Sequence, residues 1–557
     1  MIKFIHTYTE KSINTLLQSG LFKAGHGLKL MHKPEYTAPV DFNTVAKQGS
    51  SLHALLEELA CPFYIDRLQG GLGLPVKYPY DKELLSHYKN SKSIDFLGLQ
   101  MHEWASNFRS DQKRIADLCN EQSIDPKSIR NNAELWDKVK DGSLSLFLEA
   151  YTPEEWSTLS LSDTRQDFLA DCETLYKKRL NETDHLIFTT DSYFMAYRTA
   201  IANHAKMLLP EVGWQIPNMR VQIAYTIGMA KSAALPWGIY YECWYCNENG
   251  KFTIPYSLTD ASDDWLETFG EQGYGHDLPM HLREYGGSSL SLMERAWVYA
   301  YFSGAQLIGE EYGICNTFRS VDSADLSPYG EVKKRFIELS ERFEPCGEVF
   351  RPFAVVLPAE MHILDERLCT DYLDYPCDED SFFTKEYMLR FIAEMESIFG
   401  ITGKHGNMGH TLRNGGMADL AEIVHDDMPQ VLSSYAYLID LTGKNELEKV
   451  YDNVIGIEEA KQKAQAMLPV CIPDSLHVSA RKDGDRWQLL LMNNDGIQHK
   501  EFAPDVQLPQ SAVCTALCPK DSRMKIEKTE GTGIMQNTNG EYTVSLAGGE
   551  WIILTLF

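Results

Sequence analysis

The segment "SLMERAWVYAYFSGAQLIGEEYG" (residues 291–313) joins a helix-like stretch to a strand-like one and ends in acidic residues. In its first half, apolar side chains recur at helical spacing, namely Leu292, Ala296, Trp297 and Ala300. This spacing predicts an amphipathic helix. The run that follows, 305–308, is short and mostly apolar, as in a strand that is buried on both faces. A helix that leads directly into a buried strand is the repeating unit of a parallel α/β fold.

The same alternation extends over the first 348 residues. Further strand-like runs are "CPFYID" (61–66), "IDFLGLQM" (94–101), "HLIFTT" (185–190) and "WGIYYE" (237–242). Helical stretches lie between them, for example at 195–208 and 218–234. The length of this region, together with the polar and aromatic residues at several strand ends, predicts a (β/α)8 TIM barrel over 1–348 rather than an open sheet. We expect a helical insertion at about 109–180 and a long loop at 244–286.

Two smaller domains are predicted after the barrel. Residues 349–472 read as strand, helix, strand, short helix and strand, which indicates a small doubly wound, flavodoxin-like α/β domain. Its first strand is not followed by Gly-x-Gly-x-x-Gly, so we expect no dinucleotide site there. Residues 473–557 alternate with period two around turns, as in "SLHVSARKDGDRWQLLLMNND" (475–495). This pattern predicts an antiparallel β-sandwich.

The composition limits the kinds of partner. The 557 residues carry 52 basic and 79 acidic side chains, a formal charge of −27, which disfavours nucleic acid and anionic membranes. No run of 18 apolar residues and no signal-like apolar region is visible, so we expect a cytoplasmic protein with no membrane partner. The close cysteine pairs, Cys243/Cys246 and Cys514/Cys518, lack the other half of a zinc site. We therefore expect no metal and no cofactor.

Carboxylates follow several of the strand-like runs. In a barrel of this kind, residues at the carboxyl ends of the strands form the active site. Pairs of carboxyl groups suit glycoside hydrolysis, in which one donates a proton and the other attacks the sugar or activates water. The candidate catalytic residues are Glu311, Glu242, Asp191, Glu310 and Glu211.

Aromatic and polar residues accompany these carboxylates. Aromatic rings stack on the apolar faces of sugars, and charged or amide groups bind the hydroxyls. The candidate substrate-binding residues are His102, Glu103, Trp104, Arg67, Tyr241, Trp244 and Tyr312.

Structural roles are open for several of these residues. His102 could be a core histidine, and Glu103 could pair with an arginine. Asp191 could cap the next helix, and Glu211 follows Pro210 in what reads as a loop. Both acids of the 310–311 pair could face solvent.

In a strand, side chains alternate between the two faces, so at most one of Glu310 and Glu311 points inward. We take Glu311, at the strand end, as the first choice for nucleophile or base. Glu242 or Asp191 would then be the general acid.

Four stretches carry a resemblance to a known group: "SLMERAWVYAYFSGAQLIGEEYG", "PFAVVLPAE", "AEIVHDDMPQVLSSYAYLIDL" and "WQLLLMNNDG". Their order resembles that of multidomain barrel glycosidases related to family 42 β-galactosidases. The resemblance implies a catalytic barrel, an amidotransferase-like α/β domain used in oligomerisation, and a small β-domain. It also implies a carbohydrate substrate and a homo-oligomer, a dimer or trimer.

One feature of that group is missing. Family 42 and its clan carry an Asn-Glu pair at the end of strand four as acid/base, and no Asn-Glu ends an apolar run in the matching region. "IFTTDSY" offers Asp191 instead. Glu311 matches a functional glutamate on a late barrel strand, which is strand seven or eight by our count.

We therefore predict a glycoside hydrolase. The first alternative is a glycan-binding protein on a barrel that has lost catalysis. The second places an amidotransferase-like hydrolase in the middle domain. The second is disfavoured because neither Gly-x-Ser-x-Gly nor a cysteine elbow occurs between 350 and 470.

Overall fold

The computed structural model describes most of the chain. The described residues are 3–8, 13–31, 42–66, 80–102, 104–105, 117, 120–121, 123, 165–183, 187–191, 197–213, 219–242, 245–246, 252–253, 288–310, 317–320, 323–361, 384–400, 412–500 and 503–557. Of the predicted insertion at 109–180 they include helix 165–180 and a few isolated positions. Most of the predicted loop at 244–286 lies outside them.

Eight parallel strands close into a barrel, which confirms the predicted fold class. Each strand pairs with the next one in sequence, and the eighth pairs with the first. The strands are β1 (Lys3–Tyr8), β2 (Gly27–Met31), β3 (Pro62–Asp66), β4 (Asp95–His102), β5 (Ile187–Asp191), β6 (Leu208–Gly213), β7 (Gly238–Glu242) and β8 (Leu307–Glu310).

Helices cover the outside of the barrel. They are α1 (Ile13–Gln18), α2 (Phe42–Val45), α3 (Ser51–Leu59), α4 (Lys82–Asn90), α5 (Arg165–Glu182), α6 (Tyr197–Ala202), α7 (Met219–Ala233), α8 (Leu290–Phe302) and α9 (Pro328–Arg342). Local sequence fixes where several begin. The side chains of Ser50, Asp81 and Ser289 accept bonds from the first free N–H groups of α3, α4 and α8. Two hairpins follow strands of the barrel, one at 245–253 and one formed by β9 (Phe318–Ser320) and β10 (Ser323–Leu326).

The middle part is a three-stranded parallel sheet with helices, in agreement with the predicted α/β fold. Its central strand, β12 (Phe353–Leu357), lies between β13 (Ala421–His425) and β14 (Tyr437–Asp440). The accompanying helices are α10 (Lys385–Phe399), α11 (Pro429–Leu432) and α12 (Ile457–Met467).

The C-terminal part consists of antiparallel strands, as the period-two pattern predicts. A five-stranded sheet has the order β11, β15, β16, β23, β20, and a three-stranded sheet has the order β19, β22, β21. A two-stranded pair, β17 and β18, completes it. The strands are β11 (Glu348–Val349), β15 (His477–Asp483), β16 (Arg486–Met492), β17 (Ile497–Lys500), β18 (Ala503–Gln507), β19 (Val513–Leu517), β20 (Ile526–Gly531), β21 (Ile534–Thr538), β22 (Glu541–Leu546) and β23 (Trp551–Leu556).

A buried polar cluster, which we call the junction cluster, joins the three parts. At its centre lies Asp419, just before β13, with its carboxylate 2.7 Å from Arg220 Nη2 of the barrel helix α7. His477 Nε2 of the C-terminal strand β15 lies 2.7 Å from the same carboxylate. Tyr299 of α8 donates a hydrogen bond to it as well. Burial alone would raise the pKa of Asp419, but Arg220 and His477 outweigh burial and hold that pKa well below its ordinary value.

Candidate active site at the carboxyl end of the barrel

The strand register identifies the residues that face the barrel interior. A separate inner cluster contains Ile5, Tyr64, Leu209, Tyr240 and Leu307, one from each of five strands. Because side chains alternate along a strand, residues two positions away from these also face inward. The carboxyl ends of all eight strands meet at one mouth, where a (β/α)8 barrel has its active site.

Five fully buried polar or aromatic residues line the inner face just below this mouth: Lys29, Tyr64, Gln100, Glu211 and Tyr240. We call them the inner belt. Each lies two residues before the last residue of its own strand. Lys29 pairs with Tyr64, and Glu211 pairs with Tyr240, so all four share the inward register. Gln100 lies two residues after Gly98, and Gly98 pairs with Tyr64.

Lys29 connects opposite parts of the inner belt. Its ammonium group lies 3.1 Å from the hydroxyl oxygen of Tyr240, to which it donates a hydrogen bond. It also donates to the backbone carbonyl of Glu310, the last residue of β8. A buried ammonium group is costly unless it is paired with acceptors. These bonds therefore hold the Tyr240 ring and the end of β8 to β2.

Gly309 makes room for the aromatic rings of the inner belt. A Cβ atom at this position would lie 3.2 Å from the Tyr64 hydroxyl and 3.3 Å from the Tyr240 ring. Both contacts are tighter than ordinary packing allows, so a side chain here would displace the rings. The missing side chain at Gly309 lets the two tyrosines approach β8.

Glu211 is the inner carboxylate whose side chain the structure describes, and it is fully buried on β6. Sequence reasoning placed it in a loop after Pro210, but Leu208–Gly213 is a strand whose six residues are all buried. Glu242 ends the neighbouring strand β7, and its backbone pairs with Gly213. Neighbouring strands lie about 4.8 Å apart and rise about 3.3 Å per residue, so the Cα atoms of Glu211 and Glu242 are about 8 Å apart.

Glu310 faces away from this site. Its backbone pairs with Tyr241, one position out of phase with the inward pair of Gly309 and Tyr240. Its buried carboxylate lies 2.5 Å from Lys333 Nζ of α9. Lys333 also donates to the Thr317 hydroxyl. Glu310 therefore joins β8 to the outer helical layer.

Two aromatic residues predicted to bind substrate are packed elsewhere. Tyr241 is fully buried, its hydroxyl is 3.0 Å from the Ser288 hydroxyl, and its ring meets Trp297 of α8 edge-on. Trp104 is fully buried against Tyr176 of α5, with ring centroids 5.1 Å apart.

The structure places the backbone of two other candidates. Asp191 ends β5 and pairs with Pro210, one position out of phase with the inward residues Leu209 and Glu211. His102 ends β4. The remaining candidates lie outside the described residues: Arg67, Glu103, Trp244, Glu311 and Tyr312.

The strand count changes two sequence-based assignments. Ile187–Asp191 is the fifth strand, so Asp191 does not end strand four. Strand four ends at His102, and the next residue is Glu103. Leu307–Glu310 is strand eight, and strand seven ends at Glu242.

Sequence reasoning missed four members of the inner belt: Lys29, Tyr64, Gln100 and Tyr240. For two of them the sequence contains a pattern that could have identified them. Lys29 is a lone charge inside the apolar run "GLKLM". In "GIYYE" strict alternation from Glu242 selects Tyr240 rather than Tyr241.

Among the residues that the structure describes, no group of three or more His, Cys, Asp or Glu side chains could hold a metal ion. In that same part of the chain, no helix is both long and apolar enough to cross a membrane.

Comparison with known proteins gives matches of structure only. No family model matches the sequence, and no curated protein matches it. The catalytic module of a family 98 glycoside hydrolase from Streptococcus pneumoniae, in complex with the H-disaccharide blood group antigen, is 8% identical. The match covers 100% of this chain and 98% of that one, with a TM-score of 0.42.

Two β-galactosidase structures are also similar. The enzyme from Bacillus circulans sp. alkalophilus is 9% identical, with a TM-score of 0.46, and covers 100% of this chain and 98% of its own. A family 42 β-galactosidase from G. stearothermophilus is 10% identical, with a TM-score of 0.45 and the same coverage. These three structures are similar to the chain over its whole length, at 8%, 9% and 10% sequence identity.

Proposed function

We propose that the protein is a glycoside hydrolase that cleaves a glycosidic bond with a pair of carboxylates at the carboxyl end of the barrel. One observation carries the proposal. Buried Glu211 lies beside Tyr240 on the inner face of a closed parallel barrel, and Glu242 ends the adjacent strand two residues beyond Tyr240. Two acidic residues and an aromatic ring at such a mouth suit the oxocarbenium chemistry of glycoside cleavage.

We assign the proton-donor role to Glu211. A carboxyl group that is removed from water keeps its proton more readily, as a general acid must. Glu242 then serves as nucleophile or base. A Cα separation of about 8 Å is compatible with the carboxyl gaps of both retaining and inverting enzymes, roughly 5–5.5 Å and 6.5–9.5 Å.

Two other glutamates compete for these roles. The resemblance to family 42 puts the acid/base at the end of strand four, which here favours Glu103. Glu311, the first choice from sequence, follows β8. Glu310 is excluded from our assignment because its carboxylate is engaged by Lys333 on the outer side of the barrel.

The experiment compares Gln variants of Glu103, Glu211, Glu242 and Glu311 on two aryl glycosides of one sugar, a dinitrophenyl and a phenyl glycoside. The best sugar is first chosen from a panel with the wild-type protein. Loss of the proton donor should cost roughly 10²- to 10⁴-fold on the phenyl glycoside and much less on the dinitrophenyl one. Loss of the nucleophile or base should slow both substrates alike.

Glu310→Gln is the matched control, because it changes the same chemical group on the outer face of β8. It should keep its activity at a temperature where it is folded. The proposal is wrong if none of these four glutamate variants loses activity. A wild-type protein that binds sugars in calorimetry but cleaves none of the panel would support the glycan-binding alternative.

We also propose, from the same resemblance, that the chain forms a homo-oligomer through its middle domain. That the protein acts in the cytoplasm is a separate proposal, made from the sequence alone. Light scattering coupled to size-exclusion chromatography tests the assembly. A dimer or trimer supports it, and a monomer at micromolar concentration contradicts it.

A further inference from the structure

Within the ranges that the structure describes, Gln100 and Thr7 place buried polar groups in the barrel interior that have no hydrogen-bond partner. The side-chain amide of Gln100 on β4 is fully buried, and neither its oxygen nor its nitrogen is bonded within the part of the chain that the structure describes. The hydroxyl of Thr7 on β1 is also buried and similarly unbonded. Such groups are rare in proteins and require an explanation.

The register directs both groups into the lumen. Gln100 lies two residues before the end of β4, and two residues beyond Gly98, which pairs with inward Tyr64. Thr7 pairs with Lys29 and lies two residues from inward Ile5. Two residues of strand correspond to about 7 Å, so Gln100 lies about that far below the end of its strand at the mouth.

The remaining polar groups of the inner belt differ in this respect. The ammonium group of Lys29 is bonded to Tyr240 and to the end of β8. The inner belt thus holds a cation, a carboxylate and an amide at a common depth, and the amide of Gln100 has no hydrogen-bond partner among the residues that the structure describes. An amide offers both donors and an acceptor, which matches the hydroxyl groups of a sugar.

We propose that Gln100 is a specificity-determining residue that binds a hydroxyl group of the sugar held at the mouth, with Thr7 as a second contact. This inference rests on the proposed function. A site built to bond a hydroxyl discriminates strongly against an analogue that lacks it, because the site's own polar groups are then left unpaired. Gln100 therefore selects among sugars by their hydroxyl pattern.

The chain contains a matched control. Gln222, on helix α7 outside the strands of the barrel, is also fully buried, and its amide is likewise unbonded among the described residues. Gln100→Met and Gln222→Met remove the same amide from two dry environments. Only the first change removes a group from the barrel interior.

The test uses the full chain and the best aryl glycoside of the panel, together with its monodeoxy analogues. With the wild type, one analogue should lose roughly 100-fold in kcat/KM. Gln100→Met should lower kcat/KM for the parent glycoside by about the same factor. For that analogue, kcat/KM of Gln100→Met should fall no further. Gln222→Met should behave like the wild type on both.

The outcomes separate this inference from the proposed function. If the wild type is active and Gln100→Met keeps its kcat/KM, or loses it equally for every analogue, the inference is overturned and the proposed function stands. A wild type that neither cleaves nor binds any sugar of the panel overturns both. If thermal melting shows that Gln100→Met is unfolded, Gln100→Asn takes its place. This variant keeps an amide but withdraws it by one methylene, and the same losses in kcat/KM are expected.

Discussion

The inner belt and the junction cluster are both buried and polar, but they differ in how completely their bonds are made. In the junction cluster, the Asp419 carboxylate is bonded to Arg220, His477 and Tyr299. In the inner belt, the Gln100 amide has no hydrogen-bond partner among the residues that the structure describes, and it lies at the same depth in the barrel as the buried carboxylate of Glu211. A completed network fixes a structure, whereas a buried polar group without a partner requires an explanation, which we propose is a ligand. We therefore assign stability to the first and function to the second.

The largest effect is expected on activity, from the inner belt. Glu211→Gln should lower kcat on a phenyl glycoside by roughly 10²- to 10⁴-fold. Its melting temperature should be nearly unchanged, because the amide of glutamine replaces a protonated carboxyl group of almost the same size at a fully buried position. Steady-state kinetics and thermal melting give the two readouts. An active variant, or one that is inactive because it is unfolded, would remove the distinction between the two clusters.

The next effect is expected on stability, from the junction cluster. Asp419→Asn leaves Arg220 buried without its counter-charge and should cost about 3–5 kcal/mol in the free energy of unfolding. Urea titration measures this loss. Activity at low temperature should stay near that of the wild type, since none of the bonds described above for Asp419 involves a residue of the inner belt. The exposed pair Asp521–Arg523 is a control, and Asp521→Asn should leave the unfolding midpoint unchanged.

A smaller effect on activity should distinguish Lys29 from Lys333, two buried lysines that contact Glu310 from opposite sides of β8. Lys29 bonds its carbonyl from inside the barrel, and Lys333 pairs with its carboxylate from α9. Lys29→Met should lower kcat/KM by roughly 10- to 100-fold and shift its pH profile, because it frees Tyr240 and removes a positive charge from the inner belt, to which Glu211 also belongs. Lys333→Met should lower stability and keep the pH profile. Identical pH profiles for the two variants would contradict the assignment of Lys29 to the site.

The smallest effect is a loss of stability in mild acid. Burial lowers the pKa of His6, His26 and His477, that of His26 to about 4. The unfolded chain, with histidine pKa values of about 6.5, then binds more protons than the folded one, so stability falls as the pH drops below that value. The urea midpoint should be lower at pH 5 than at pH 7.5. The double variant His6→Gln/His26→Gln should show a smaller difference in urea midpoint between the two pH values. A difference equal to that of the wild type would argue against these two residues as its source.

The sequence predicts the barrel because five of its strands are continuous apolar runs. It does not predict β6 as a strand, because Pro210 interrupts the pattern and proline is rare inside sheets. It does not reveal which face Glu310 occupies either, since its partner Lys333 comes from a helix that folds back over β8. For the site, the residue types were predictable at the strand ends. The members of the inner belt could be identified only from the observed strand register, because a shift of one residue would turn Tyr241 inward in place of Tyr240.

The most direct measurement is the hydrolysis of an aryl glycoside panel by the wild-type protein, with NMR detection of the first anomer released and Glu211→Gln/Glu242→Gln as the blank. We predict that the wild type releases the aglycone and a single anomer from at least one glycoside, and that the double variant, folded to the same melting temperature, releases neither. Release that continues in the double variant, or no release from any glycoside, would contradict the assignment of this mouth as a sugar-cleaving site.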